Sequence, residues 1–372
     1  KMKFTCDTKE LSRACNTVSR AAATKASIPA LEGIKIDIKG KEVRLCGYNL
    51  ELGITTMLES KGGSEEDGSV VLDAKMLCNI VKKLPNALTT IQADKKSTVT
   101  IKSGDSEFQL VYIPADKFPE LPKIDEKSAI SIPQAVFKEM IQQTIFAVAD
   151  DAAKPIYTGA LFKVEDGGLT MVGVDGYRLA KCHESIDYHG QPFDCVVPKK
   201  ALLEISSLLD ESGDKAVDIS IGLRHAAFMI GNYEIFTRLL EGEFLDYEGA
   251  IPKSHATEIK VDVRTLVESV NRVALVVSEH LRSPIKMHVG NGQIGLSCAT
   301  SIGAASDTLD ANISGDDLLI GFNHKYLSDA LRNAGCDEVR LQLNGPLSPM
   351  VVLPNSGDSF VFLVLPVRLK AG

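Results

Sequence analysis

The sequence predicts an α+β fold of three tandem similar domains, each with two helices packed on antiparallel sheets, and three observations carry that expectation. A strand-then-helix segment recurs three times, a second helical segment recurs about seventy residues into each copy, and short alternating strand-like runs fill the intervals. The 372 residues are 44% hydrophobic and 24% charged, which excludes a disordered or fibrous chain and leaves each of three domains able to bury a core.

The first recurring segment is FTCDTKELSRACNTVSR from Phe4, ISIPQAVFKEMIQQTIF from Ile130 and IKVDVRTLVESVNRVAL from Ile259. Aligned without gaps, Leu11, Phe137 and Leu266 coincide, as do Cys15, Ile141 and Val270. Each copy alternates briefly, as a strand does, and then takes the three-and-four apolar spacing of an amphipathic helix. The second segment is VLDAKMLCNIVKKLP from Val71, VVPKKALLEISSLLD from Val196 and GFNHKYLSDALRNAG from Gly321, aligning Leu77, Leu202 and Leu327. Asp73 and Asn323 stand there as helix caps and Pro198 at a first turn. Helices are therefore expected over residues 8–20, 134–149 and 263–277, and over 74–85, 199–210 and 324–334. Runs such as GIKIDI, LTMVGV, IKMHV, VTIKS, VDISI and VRLQL read as strands between Gly, Asn or Asp turns. Short polar stretches divide the chain into domains at 1–127, 128–253 and 254–372.

Charge is distributed unevenly over these elements. The six helical segments together carry +7, so a net charge of −8 leaves −15 on the rest of the chain. Helix preference enriches Glu as much as Lys, yet these segments are poor in acid. A positive helical face attracts phosphates by a sequence-independent, salt-sensitive mechanism. No aromatic-rich basic loop or recognition-helix motif points to base readout.

Motifs for catalysis are missing or explained otherwise. Eight scattered cysteines without a CxxC pair suit reduced, buried thiols, not a disulfide framework or a zinc site. Gly290, Gly292 and Gly295 match GxGxxG, but strand-like runs flank them on both sides, so a hairpin is expected there and not the helix a dinucleotide would need. His183 and His189 near Cys182, and His280, lack the paired spacing of a metal site. The acidic runs at Glu65, Asp150 and Asp316 read as solvated loops. No catalytic residue, metal ligand or cofactor is expected. With no apolar stretch near the ~20 residues needed to span a bilayer, the chain is expected to be cytoplasmic and to have no membrane partner.

Three tandem strand–helix units, acid-poor helices and the ending LPVRL resemble the bacterial DNA sliding clamps, the beta subunits of the replicative DNA polymerase III holoenzyme. The resemblance covers essentially the whole chain and is strongest at MKFT from Met2, GVDGYRLA from Gly173, VVPKK from Val196, IGFN from Ile320 and LPVRL from Leu365. It implies the DNA clamp fold and a ring-forming, head-to-tail homodimer with twelve helices around a hole and strands on the rim. Helices spaced at roughly 10 Å would leave a hole of roughly 28 Å, enough for duplex DNA with water around it. The implied function is a non-enzymatic processivity factor that slides on duplex DNA and tethers the replicative polymerase, the clamp loader and other proteins bearing clamp-binding peptides. An enzyme with its site at a domain junction, or a tandem-domain scaffold that never touches nucleic acid, are the alternatives.

Three residue sets follow from the resemblance. A peptide pocket between the second and third domains would use Tyr157, Val174, Gly176, Tyr177, Arg178, Leu179, Leu245, Ala250, Asn323, Tyr326, Leu347, Leu363, Leu365, Pro366, Val367 and Arg368. Leu245 stands where proline is expected, Leu281 where phenylalanine is, and Gly249 where arginine is frequent. DNA would be faced by Lys25 in a loop and by Arg13, Arg20, Lys82, Lys83, Lys138, Lys199, Lys200, Arg272, Lys325 and Arg332 on helices. At the dimer interface, Phe108 and Leu110 of one chain would meet Leu275 and Val276 of the other.

Overall fold

The computed structural model describes residues 2–62, 65–94, 96–151, 153–278, 280 and 283–370. Among them are helices α1 (Thr8–Val18), α2 (Ala74–Val81), α3 (Gln134–Ile145), α4 (Lys199–Leu208), the single turn α5 (Tyr247–Ala250), α6 (Val263–Val273) and α7 (His324–Arg332). Six of these stand at the six expected places, each ending earlier than the sequence suggests. The physical reason is tightening of the last turn: α1 passes into a 3₁₀ turn at Ser19–Ala21 and α6 into one at Ala274–Val276. With these shorter bounds the six helices carry +5, leaving −13 elsewhere, so the contrast in sign persists.

Side-chain caps fix the helix starts. Asp73 accepts from the Met76 amide at 2.7 Å, Asp262 from Thr265 at 2.7 Å and Asn323 from Lys325 at 2.9 Å. Pro198 ends the strand Phe193–Pro198 and immediately precedes α4. The coincident apolar positions do the same work in every copy: Leu11, Phe137 and Leu266, and Leu77, Leu202 and Leu327, are all fully buried. The glycine-rich stretch is the expected hairpin, with Gly290 paired to Gln293 across Asn291 and Gly292, whose φ angles of 53° and 73° fit a left-handed two-residue turn.

The strands form antiparallel sheets of two sizes, and the larger ones run across the repeat boundaries. One four-stranded sheet orders Met2–Asp7, Leu88–Ala93, Thr98–Ser103 and Ser106–Val111. A nine-stranded sheet joins strands of the first copy to later ones through Tyr233–Arg238 beside Leu52–Glu59, with Ile235 opposite Ile54. A second nine-stranded sheet joins the middle and last copies through Arg178–Ser185 beside Phe360–Val364, with Ala180 opposite Phe362. Another four-stranded sheet has Gly303–Asp310 at its edge.

Two compact units result, and they cut across the threefold repeat. The first takes Lys1–Pro133, Leu203–Leu209 and Asp214–Leu239; the second takes Gln134–Leu202, Asp210–Gly213 and Leu240–Gly372. Among the described residues no helix is long and apolar enough to cross a membrane.

Candidate functional site

In the second unit, strands of the middle and last copies bring together a layer of apolar side chains. Leu161, Val172, Val174, Leu179, Val351 and Leu363 are among its buried members, with Tyr157, Leu240, Phe244 and Ile251 packed half-buried against it. Leu179 lies opposite Leu363 in the strand register, so the seam between two copies is itself apolar. Of the expected pocket residues, Tyr157, Val174, Leu179 and Leu363 belong to this cluster. Phe244, Tyr247 and Ile251 also belong to it and do not stand among the expected residues; they lie before, in and just after the single turn α5, where the apolar spacing follows no regular period.

The remaining pocket residues form a rim or stand free. The Tyr177 and Tyr326 rings stack at 5.7 Å, Leu365 donates its amide to the Tyr177 carbonyl at 3.0 Å, and Val367 donates to the Gly321 carbonyl at 2.8 Å. Gly176 sits at φ 89° in the turn before Tyr177, a conformation that glycine adopts without strain. Asn323 spends its side-chain oxygen on the α7 cap. Leu245, Leu347 and Leu365 are exposed, as are Ala250 and Arg368, while Pro366 is half-buried. Leu281 lies outside the described residues.

Arg178 crosses the seam. Its Nε donates to Asp175 at 2.9 Å, its Nη1 donates to Asp329 of α7 at 2.5 Å, and its guanidinium lies 4.6 Å over the Tyr326 ring. Burial pulls this guanidinium down, and hydrogen bonds to Asp329 and Asp175 outweigh it and hold the group above its ordinary range.

The equivalent seam in the first unit has another chemistry. Strand register places Lys35 where Leu161 stands and Glu234 where Val361 stands. The cleft there, about 710 Å³, is lined by Asp37, Arg44, Glu120 and Lys123 besides these two. One fold element repeated twice thus yields an apolar cluster at one seam and a charged cleft at the other.

The expected cations divide into two sets, and not all stand on helices: Lys82 and Lys83 follow the last residue of α2, and Arg20 lies in the 3₁₀ turn after α1. Arg13, Lys25, Lys82, Lys83, Lys200 and Lys325 are exposed, and among the described residues no carboxylate lies within 4.0 Å of them. The others are engaged. Arg20 reaches Glu204 at 3.4 Å and Ser207 at 2.8 Å, Lys138 reaches Glu211 at 2.8 Å, and Arg332 donates to Asn271 at 3.2 Å. Lys199 pairs with Asp150 at 2.7 Å and Arg272 with Asp307 at 2.6 Å. The hydrogen bond from Lys199 lowers the Asp150 carboxyl; Asp307 is lowered first by Ser269 and then by Arg272. Asp150 is therefore an ion-pair partner and not merely a solvated loop residue.

Phe108 and Leu110 lie on the edge strand Ser106–Val111, with Phe108 exposed and Leu110 half-buried. Leu275, 82% exposed, and Val276 lie in the 3₁₀ turn after α6, and the Val276 carbonyl accepts from Thr300 at 2.9 Å beside the other edge strand. No group of three or more metal-ligating side chains occurs among the described residues. His189 instead lies between Asp166 at 2.8 Å and Asp187 at 3.2 Å.

Comparison with known proteins agrees along the whole chain. The N-terminal, central and C-terminal domains of the DNA polymerase III beta subunit match residues 2–122, 131–246 and 248–368. A beta sliding clamp from Bacillus subtilis is 33% identical, covering 99% of this chain and 100% of that relative. The crystal structure of the Bacillus subtilis DNA polymerase sliding clamp superposes with a TM-score of 0.95 at 33% identity, covering 99% of this chain and 100% of that one. A Pseudomonas aeruginosa clamp, solved bound to griselimycin, superposes with a TM-score of 0.94 at 28% identity, covering 99% and 100%. Three consecutive domain matches on a shared clamp fold leave one assignment: the chain belongs to the DNA polymerase III beta subunit family, the beta sliding clamps, which are non-catalytic processivity factors.

Proposed function

We propose that two copies of this chain close head to tail around duplex DNA, and that the apolar groove of the second unit docks short peptides of the replicative polymerase, the clamp loader and other partners. The observation that carries the ring is the pattern of strand edges. Each seam within the chain pairs equivalent strands: Ile235 with Ile54 at the first, Phe362 with Ala180 at the second. Hairpin register makes Phe108 the counterpart of Ile235, since Phe108 lies opposite Ile101 as Ile235 lies opposite Phe228. Likewise Ala305, opposite Cys298, is the counterpart of Ile54, opposite Gly47, and of Ala180, opposite Gly173.

Among the described strands, Ser106–Val111 and Gly303–Asp310 are therefore the two members of this pattern left at sheet edges. A second copy supplies the missing partner for each, in a heterologous contact that closes after two chains. The same register sets Phe108 against Ala305 and Leu110 against Gly303 of the other chain. Gly303 is next to Val276, so the apolar side chains at both edges lose water together.

Exposed cations on the helices and in the segments beside them supply a diffuse attraction for phosphates without fixing a base sequence, so a closed ring slides and retention depends on topology. The half-buried Tyr157, Leu240, Phe244 and Ile251, packed over the buried Leu179 and Leu363, are the surface against which a partner's apolar side chains settle. The test is retention on nicked circular DNA followed by linearisation. The ring is expected to stay on the circle and to leave the linear product from its ends. Equal retention on both forms refutes encirclement.

A further inference from the structure

We propose that the first seam carries a second docking surface, in which the exposed Leu50 and Leu223 receive an apolar side chain and Arg224 and Arg238 receive a carboxylate beside it, so that its ligand is an apolar peptide with acidic residues at one end. The inference concerns a different seam from the peptide-docking reading and goes beyond it.

The two seams correspond residue by residue at this end. Gly53 lies opposite Phe236 as Leu179 lies opposite Leu363. Arg238 donates its amide to the Glu51 carbonyl at 2.8 Å, as Leu365 does to that of Tyr177 at 3.0 Å. The turns before these strands match as well: the Asn49 side chain accepts from the Glu51 and Leu52 amides at 3.1 and 2.8 Å, and Asp175 accepts from Tyr177 and Arg178 at 3.0 and 3.1 Å. Leu50 thus stands where Gly176 does. Its φ of 76° is strained for a leucine, as 89° is not for Gly176, and the leucine side chain is nevertheless held there 47% exposed. An exposed leucine also precedes the strand next to each seam, Leu223 before His225–Ile230 and Leu347 before Met350–Pro354.

Strand alternation and pairing bring the receiving groups together. Glu234, Phe236 and Arg238 share one face of their strand, and the first two line the charged cleft. His225 lies opposite Arg238 and stacks on Phe236 with ring centroids 5.0 Å apart. Burial, then Arg238 and Arg224, hold the His225 imidazole below its ordinary range, so both guanidiniums lie close to that ring. Leu50, next to Glu51, and Leu223, two residues before His225, therefore flank Arg238 at one end of the sheet. Arg224 and Arg238 are exposed, and among the described residues no carboxylate lies within 4.0 Å of either. Two cations stand here against the exposed Glu51, whereas the cleft past Phe236 carries three cations against four carboxylates, Glu234 among them. The sign of the charge changes along the strand, and an extended peptide is thereby oriented with its acidic end over the arginines.

The test uses two short fluorescein-labelled peptides that differ only in a pair of glutamates or a pair of glutamines before a leucine and a phenylalanine, and reads the ratio of their dissociation constants by anisotropy. Wild type is expected to favour the glutamate peptide about tenfold at low salt, the scale of two partly screened charge interactions, and less in about 0.5 M salt. Arg224→Ser combined with Arg238→Ser should abolish the preference, and Arg224→Lys combined with Arg238→Lys should retain most of it. Leu365→Ser, at the second seam, should leave the preference unchanged. Equal binding of the two peptides by wild type, or a preference that survives the paired serine substitutions, overturns the inference. A preference lost in Leu365→Ser and kept in the paired serine variant also overturns it, and at the same time upholds peptide docking on the second unit. Displacement of the glutamate peptide by a short DNA duplex would mark a phosphate-binding face and overturn the assignment of a peptide ligand.

Discussion

Leu275 is the most direct handle on ring closure. In the single chain it is 82% exposed on a turn of the last copy. Burying a leucine contributes about 1.5–3 kcal/mol, so covering it at a chain–chain seam is worth about 2 kcal/mol. A closed two-chain ring contains this seam twice, and Leu275→Ala therefore removes about 4 kcal/mol per ring. That corresponds to roughly a thousandfold rise in the dimer dissociation constant. Sedimentation equilibrium over a dilution series measures it directly. Leu223→Ala is the matched control, because Leu223 is 78% exposed in a turn of a nine-stranded sheet that contains neither proposed edge strand. A shift under tenfold for Leu275→Ala, or an equal shift for Leu223→Ala, would refute the proposed seam.

Replacing Lys82 and Lys83 together by Ala should lower the slope of log affinity for duplex DNA against log salt by about 2, near 0.9 per lost phosphate contact. Lys199→Ala should change that slope less, because Asp150 already neutralises Lys199. Asp262→Ala should cost about 1 kcal/mol in thermal or denaturant unfolding through loss of the α6 cap. The bonds from Thr265 hold the Asp262 carboxyl below its ordinary range, so this contribution is present above the ordinary carboxylate pKa and fades as pH falls through the lowered value. The wild-type-to-variant gap should therefore narrow in acid. Burial pushes the Cys6 and Cys46 thiols up to about 12, so a thiol reagent at pH 8 should label them only as fast as the protein opens, with complete labelling in denaturant.

What the sequence determined by itself is everything with a local period or a local cap. Three copies, six helices, the fully buried Leu11, Phe137 and Leu266 set and the Gly290 hairpin all follow from spacing within a few residues, because a helix or strand face repeats every few positions. Tertiary structure alone decided which copies share a sheet and which charges neutralise each other. Arg178 finds Asp329 across 151 positions and Arg20 finds Glu204 across 184, and nothing in either neighbourhood marks the partner. The same holds for the two seams, where Leu161 and Val361 at one correspond to Lys35 and Glu234 at the other. Each of these four residues is compatible with its own strand, and only the pairing of distant strands makes one seam an apolar cluster and the other a charged cleft.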